Sequence, residues 1–289
     1  MIKALLFFLS LQLFAFAKPV VLVSILPQHT FVQKIAKDKV DIHLMVKPGS
    51  SPHSYEPKPS QMVALSNADL YFSIGVEFEN VWLDRFKAQN PTLPFIDISE
   101  GIQKIAIGAH HHHDTQHHED HHHHEHEKKQ GLDPHTWTSP KNVKIMAQNI
   151  YNTLAKLDPE NEAFYKNNLD LFLEEIKATD TQIRTLLQEL PAQSTFLVFH
   201  PSWGYFAAEY DLVQVAVEVD GKSPKPKDIM RIIKEAKEEN ARVIFAQPEF
   251  SDKSAQIIAK ESGIKVLKIS PLNAQWSKNL ITMAQALAK

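Results

Sequence analysis

The chain of 289 residues contains no cysteine. Disulfides are therefore excluded, and so is any metal centre built on thiolates; a metal bound here must be held by nitrogen and oxygen. A core of this size does not need cross-links. Long apolar runs are also missing beyond the first residues, and none of the later segments approaches the ~20 apolar residues of a membrane-spanning helix. Positive charge is not in excess. With a formal charge of −3 and few cationic stretches, the chain offers no basic face for nucleic acid or another polyanion. Catalytic signatures are equally thin: there is no Gly-x-Ser-x-Gly elbow and no His-Glu-x-x-His helix. The segment "DGKSP" imitates the end of a phosphate loop, but Ala216 stands where the first glycine belongs and Pro224 spoils the helix that should follow.

What is present begins with "MIKALLFFLSLQLFAFAKPVV", which has one early lysine, an apolar run from Ala4 to Phe16, and Ala15-Phe16-Ala17 before Lys18. This is the form of a cleaved secretory signal over residues 1–17, and it predicts export to the periplasm. No cysteine follows it to carry a lipid anchor. The remaining ~270 residues suffice for two domains of ~100 to 200 residues each. The runs "PVVLVSILP", "DIHLMV" and "DLYFSIG" read as strands that alternate with the helical stretches "FVQKIAKDKV", "SQMVALSNA" and "NVWLDRFKAQ". The second half repeats the pattern, with strands "STFLVFH", "VQVAVEV", "ARVIFAQP" and "IKVLKIS". Alternation of this kind predicts an α/β fold of parallel sheets covered by helices on both faces. Between the halves, helical spacing runs from Ser139 to Leu157. A second pattern through Leu169, Phe172, Ile176, Ile183 and Leu187 then meets no glycine or proline before Pro191. It predicts a rigid helix over residues 159–190, about 45 Å long. The expected organisation is an N-terminal lobe over 18–140, connecting helices over 141–190 and a C-terminal lobe over 191–289. Between the lobes lies a cleft at the sheet ends, where open parallel sheets bind ligands.

Sixteen histidines divide into two groups. His110, His111, His112, His113, His117, His118, His121, His122, His123, His124 and His126 crowd one internal segment, interrupted by Asp114, Gln116, Glu119, Asp120 and Glu125. A segment of this composition builds no core, but it offers many weak imidazole and carboxylate ligands, suited to zinc, copper or nickel rather than calcium or magnesium. Of the others, His43 lies within a strand and reads as a surface or helix-packed residue, and His29 opens a helix as a cap or a cleft-lining group. His53, His135 and His200 share a different setting, each beside a proline in "SPHSYEP", "DPHTWTSP" and "VFHPSWGYF". Proline restricts the neighbouring backbone and so helps fix the direction of the imidazole. Three neutral imidazoles from separate loops can make a tetrahedral zinc site with one open corner. Taken singly, each reads equally well as a buried histidine bonded to a backbone carbonyl.

The pieces "VKPGSSPHSYEPKPSQM", "DPHTWTSPKNVKIMAQNI", "FHPSWGYFAAEY" and "IFAQPEFSDKSAQIIAKESGIKV" resemble, in order and over nearly the whole mature chain, the cluster A-I solute-binding proteins of bacterial ABC importers. Within that group they look like the ZnuA-like zinc receptors. The resemblance implies two α/β lobes bridged by a long helix, a metal buried in the interlobe cleft, and no catalysis. It carries the three histidine ligands of a transported Zn2+ onto His53, His135 and His200. A histidine at the third position favours zinc, since manganese-binding members tend to place a carboxylate there. The resemblance also implies that the histidine-rich loop gathers or buffers the ion. Two departures stand out: Ser270 occupies a position where many relatives carry an aspartate ligand, and "GSSPH" has no acidic residue just before the first histidine. The fourth ligand position is thus left to water, Glu249 or a loop histidine. The expected function is that of a monomeric periplasmic receptor delivering Zn2+ to the membrane permease of an ABC importer with its cytoplasmic ATPase. Two other readings stand beside it. One is a zinc buffer or chaperone centred on the loop; the other is a three-histidine zinc hydrolase, for which the sequence offers neither a general-base motif nor a substrate pocket.

Overall fold

The computed structural model describes residues 18–107, 131–219 and 221–289. The expected signal over 1–17 and the histidine-rich stretch 110–126 lie outside the described residues. In the first half, four strands, β1 (Val20–Val23), β2 (Asp41–Leu44), β3 (Leu70–Ser73) and β4 (Phe95–Asp97), form a wholly parallel sheet in the order β2-β1-β3-β4. Helices α1 (Leu26–Ala36), α2 (Pro59–Ser66) and α3 (Glu77–Gln89) connect them. The second half repeats this plan with β5 (Ser194–Val198), β6 (Leu212–Ala216), β7 (Val243–Ala246) and β8 (Lys265–Lys268) in the parallel order β6-β5-β7-β8. Its connections are α6 (Gly204–Glu209), α7 (Pro226–Glu238) and α8 (Lys253–Ser262). The central strands β1, β3, β5 and β7 are mostly apolar and buried, apart from partly buried end residues such as Ser73 and Ser194, as a sheet covered on both faces requires.

Between the sheets run α4 (Pro140–Leu157) and α5 (Glu162–Leu187). Ser139 caps α4 by accepting the Asn142 backbone N–H at 3.1 Å, and Pro140 fills its first turn, where no N–H is needed. Helix α5 is shorter than the sequence spacing suggests. Pro159–Asn161 forms a separate 3₁₀ turn, and the chain turns again after Leu187. Its 26 residues still span about 39 Å. One stripe of α5, formed by Tyr165, Leu169, Phe172, Ile176, Thr179, Ile183 and Leu187, is buried against α1, α4 and a C-terminal helix, α9 (Trp276–Leu287). Phe31 of α1, Phe172 of α5 and Trp276 of α9 meet there, with ring centroids 5.7 to 6.5 Å apart. The main core therefore runs unbroken from Val21 and Phe72 of the first sheet through these helices to Phe196 and Phe245 of the second. A smaller core covers the opposite face of the second sheet under α7 and α8. This packing sets the carboxyl ends of the two sheets facing each other.

Candidate metal centre

His200 lies just beyond the carboxyl end of β5, while His53 and His135 are carried by the loops that follow β2 and β4. His53 follows β2 in a turn where its backbone N–H donates to Ser51 Oγ at 3.3 Å. His200 comes directly after β5, and Gln247, just past β7, clamps its backbone. Gln247 Oε1 accepts the His200 N–H at 3.1 Å, and its Nε2 donates to the His200 carbonyl at 2.6 Å. Phe250 stacks on the His200 ring at 5.2 Å between centroids. His135 sits ahead of a 3₁₀ turn, Thr136–Thr138, in a segment fixed by short antiparallel pairing: Asp133 N–H donates to Ile105 O at 2.8 Å, and Ile107 N–H to Gly131 O at 2.9 Å. That pairing joins the chain on either side of residues 108–130, so the position of His135 is set by described residues. Behind the site, Trp137 Nε1 donates to Pro271 O at 2.8 Å and Trp276 Nε1 to Trp137 O at 2.7 Å, which ties loops of both halves together.

The structure brings His53, His135 and His200 together and leaves the other described histidines apart. One ring nitrogen from each lies within 4.8 Å of the other two, and among the described residues no other set of three or more metal-binding side chains is so gathered. His135 and His200 are 5 % and 6 % exposed, while the side chain of His53, at 30 %, stands at the mouth. His43 instead faces Asp41 at 3.1 Å on β2, and His29 is half-buried within α1, where burial lowers its pKa. The histidines at 110–126 lie outside the described residues.

Each of the three rings has a carboxylate at Nδ1. Asp133 Oδ1 accepts both the backbone N–H and the Nδ1–H of His135, at 2.8 and 2.7 Å. Glu218 Oε1 lies 2.8 Å from His200 Nδ1, and Glu77 Oε2 lies 3.4 Å from His53 Nδ1. An imidazole that donates from Nδ1 carries its lone pair on Nε2, so His135 and His200 are set to offer Nε2 to a cation, and the charge of Glu77 favours the same arrangement at His53. The consequence is sharpest between His53 and His200, whose Nε2 atoms are 3.0 Å apart. Two lone pairs at that distance repel unless a proton or a metal ion lies between them. Of the two rings, His53 holds a proton more readily. Burial there lowers the pKa, but the hydrogen bond and charge of Glu77, helped by Glu218, outweigh it and raise the value. At His200 burial dominates and lowers the pKa despite Glu218. Glu77, although burial opposes its ionisation, is held down at about 2 by its hydrogen bond to and the charge of His53. For tetrahedral zinc with bonds of about 2.0 to 2.1 Å, ligand nitrogens stand roughly 3.3 Å apart. Replacing the bridging proton by the ion thus needs only a small outward shift.

The cavity these residues enclose has a volume of about 20 Å³ and is lined also by Glu77, Trp137, Glu249 and Phe250. That is room for one water-sized species. Ser270 reaches the site only through Glu249, to which its hydroxyl donates. The three supporting carboxylates were not singled out from sequence. Asp133 had a usable signal, since an Asp two residues before a histidine can hold both its N–H groups. Glu77 and Glu218 are 24 and 18 residues from their partners and had none. Gly204 has a structural reason as well: a Cβ there would lie 2.7 Å from Asp133 Oδ2, so only glycine leaves room for that carboxylate.

Several known proteins of similar sequence and fold share one description. The family model for ZnuA, zinc-uptake complex component A, periplasmic, matches residues 21–289. The high-affinity zinc uptake system protein ZnuA of Bacillus subtilis is 29 % identical over 251 residues, covering 85 % of this chain and 76 % of its own. A crystal structure of ZnuA superposes with a TM-score of 0.83 at 40 % identity, covering 94 % of this chain and 98 % of the other. A ZnuA deletion mutant with zinc bound superposes with a TM-score of 0.82 at 39 % identity, covering 94 % and 97 %.

Proposed function

Because this chain belongs to the family of periplasmic zinc-uptake complex component A, we propose that it is an exported zinc receptor that passes Zn2+ to the membrane permease of an ABC importer driven by a cytoplasmic ATPase. The observation that carries the reading is the facing pair of Nε2 atoms, 3.0 Å apart, with His135 beside them and every Nδ1 backed by a carboxylate. Such a set is prepared for a cation. The space of about 20 Å³ among these side chains suits an ion or a water-sized species, which favours a receptor over a hydrolase. One chain supplies all three imidazoles, so a monomer suffices. In this reading residues 1–17 direct export, and the histidines at 110–126 form weak sites that gather zinc for the cleft.

Calorimetric titration of the mature, metal-free protein with zinc tests the assignment. Alanine at His53, His135 or His200 abolishes the tight site, because two imidazoles do not compensate a buried dication for its lost hydration. Removal of residues 110–126 leaves that site intact and eliminates the weak ones, since the pairing at Ile105, Ile107, Gly131 and Asp133 holds His135 independently. Unchanged tight binding in the three alanine variants contradicts the cleft assignment. Loss of the tight site with the loop favours a buffer or chaperone instead.

A further inference from the structure

Glu249 stands out once the three histidines are assigned. It lines the same cavity from the loop after β7, between Gln247, which clamps the backbone of His200, and Phe250, which covers its ring. Its two oxygens are treated differently. Oε1 accepts the hydroxyl of Ser270, which is itself held by the Leu272 backbone N–H at 3.0 Å, while Oε2 is buried and has no hydrogen-bond partner. An unpaired buried acceptor costs about 1 to 3 kcal/mol, so a fold that keeps one at the wall of a cation site calls for a partner that arrives with the cation.

We propose that Glu249 Oε2 is the fourth ligand of the bound metal and that Ser270 is the positioning residue that aims it. The proposal rests on the zinc-receptor reading above. Glu249 stands outside the group of nitrogens that lie within 4.8 Å of one another, so ligation requires its carboxylate to swing inward about the Ser270 anchor as the ion enters. Three neutral imidazoles leave the full double charge of the ion uncompensated among its ligands; one carboxylate halves it. The neighbouring acids do not serve, because Asp133, Glu77 and Glu218 are engaged at the far side of the imidazoles. The site thereby gains a hard anionic oxygen, which adds most, in relative terms, to its affinity for oxygen-preferring ions such as Mn2+.

The test uses the mature full chain with Zn2+, Mn2+ and Co2+ as probes. Glu249→Gln removes the charge at constant shape and is expected to weaken zinc by at least about ten-fold, no less than the loss of an outer partner of a metal ligand does. It is expected to weaken manganese by a larger factor and to change the visible absorption of bound Co2+, which reports the ligand set directly. Ser270→Ala shifts zinc affinity in the same direction by a smaller factor. Metal-free Glu249→Gln keeps the wild-type unfolding midpoint, which separates a ligand from a structural residue. An unchanged Co2+ spectrum, or zinc binding within about two-fold of wild type in Glu249→Gln, overturns the proposal. Wild-type protein that holds zinc no more tightly than the His135→Ala variant defeats the receptor reading itself, so the two failures are distinct.

Discussion

At the scale of single residues, the site depends on which nitrogen of each imidazole is free, and that choice is made by the carboxylates. Asp133 is the best placed of the three. It is fully buried, its Oδ1 takes two hydrogen bonds from His135, and its Oδ2 has no partner and sits where Gly204 leaves space. Asparagine at this position keeps one acceptor but removes the charge and buries an amide N–H2 with nothing to donate to. Asp133→Asn is expected to lower zinc affinity by about 10- to 100-fold while leaving the ligand set complete. Competition against a chelator of known affinity measures it. Affinity unchanged from wild type would show that packing alone orients the ring.

At the scale of elements, the turn from β3 into α3 deserves the same reading, since α3 begins with Glu77. That turn is held by Glu79, 3 % exposed, which accepts the Ser24 hydroxyl, the Ile74 backbone N–H at 3.0 Å and the Gly75 backbone N–H at 2.7 Å. Ser24 also bonds Tyr71 at 2.7 Å, so one carboxylate links the ends of β1 and β3 to the start of α3. Burial outweighs these hydrogen bonds and pushes the Glu79 carboxyl up to about 7. A folded-state pKa above the unfolded value means that folding favours the protonated form. The corresponding stability is present in full below about pH 4.3 and is lost as pH rises through about 7. Wild type should therefore lose stability relative to Glu79→Gln between about pH 5 and pH 8, as read from urea unfolding. The opposite slope would mean that the hydrogen bonds win and the buried carboxylate is ionised.

At the scale of the whole molecule, the unbroken core through α1, α4, α5 and α9 makes the two sheets one cooperative unit. Metal bound between them should stabilise both. At free zinc about 1,000 times the dissociation constant, the gain is about 4.1 kcal/mol, or roughly 8 °C in the midpoint for a chain of this size. Calorimetry should show one transition that moves as a whole. Two transitions, only one of them shifted by zinc, would disprove the shared core. Protons oppose the metal with a definite sign. The pKa of His53 is raised, so in the metal-free protein it holds a proton above the ordinary imidazole range near 6.5, and zinc must expel it. Affinity accordingly falls as pH drops, with the decline setting in above about 6.5; equal retention at about pH 5 and pH 7 would point to carboxylate ligation instead.

What the sequence determined by itself was whatever depends on neighbours a few positions away. Apolar periodicity marked β1, β2, β3 and the four strands of the second sheet, because a side chain's burial in a regular element repeats with that element's period. Proline beside His53, His135 and His200 set these three apart as candidates, since restriction of the backbone is a local effect, and the family resemblance of their motifs joined them into one set. Strand β4, with three residues, was too short to show a period. Helix α9 passed unread although Trp276, Leu280, Met283 and Leu287 follow helical spacing. Tertiary structure alone decided the rest. Strand order joined Glu218 to His200, the β3–α3 turn brought Glu77 to His53, and the loops after β7 and β8 set Ser270 on Glu249. These partners are brought together by the packing of distant elements, and nothing in the spacing of the residues along the chain records the pairing.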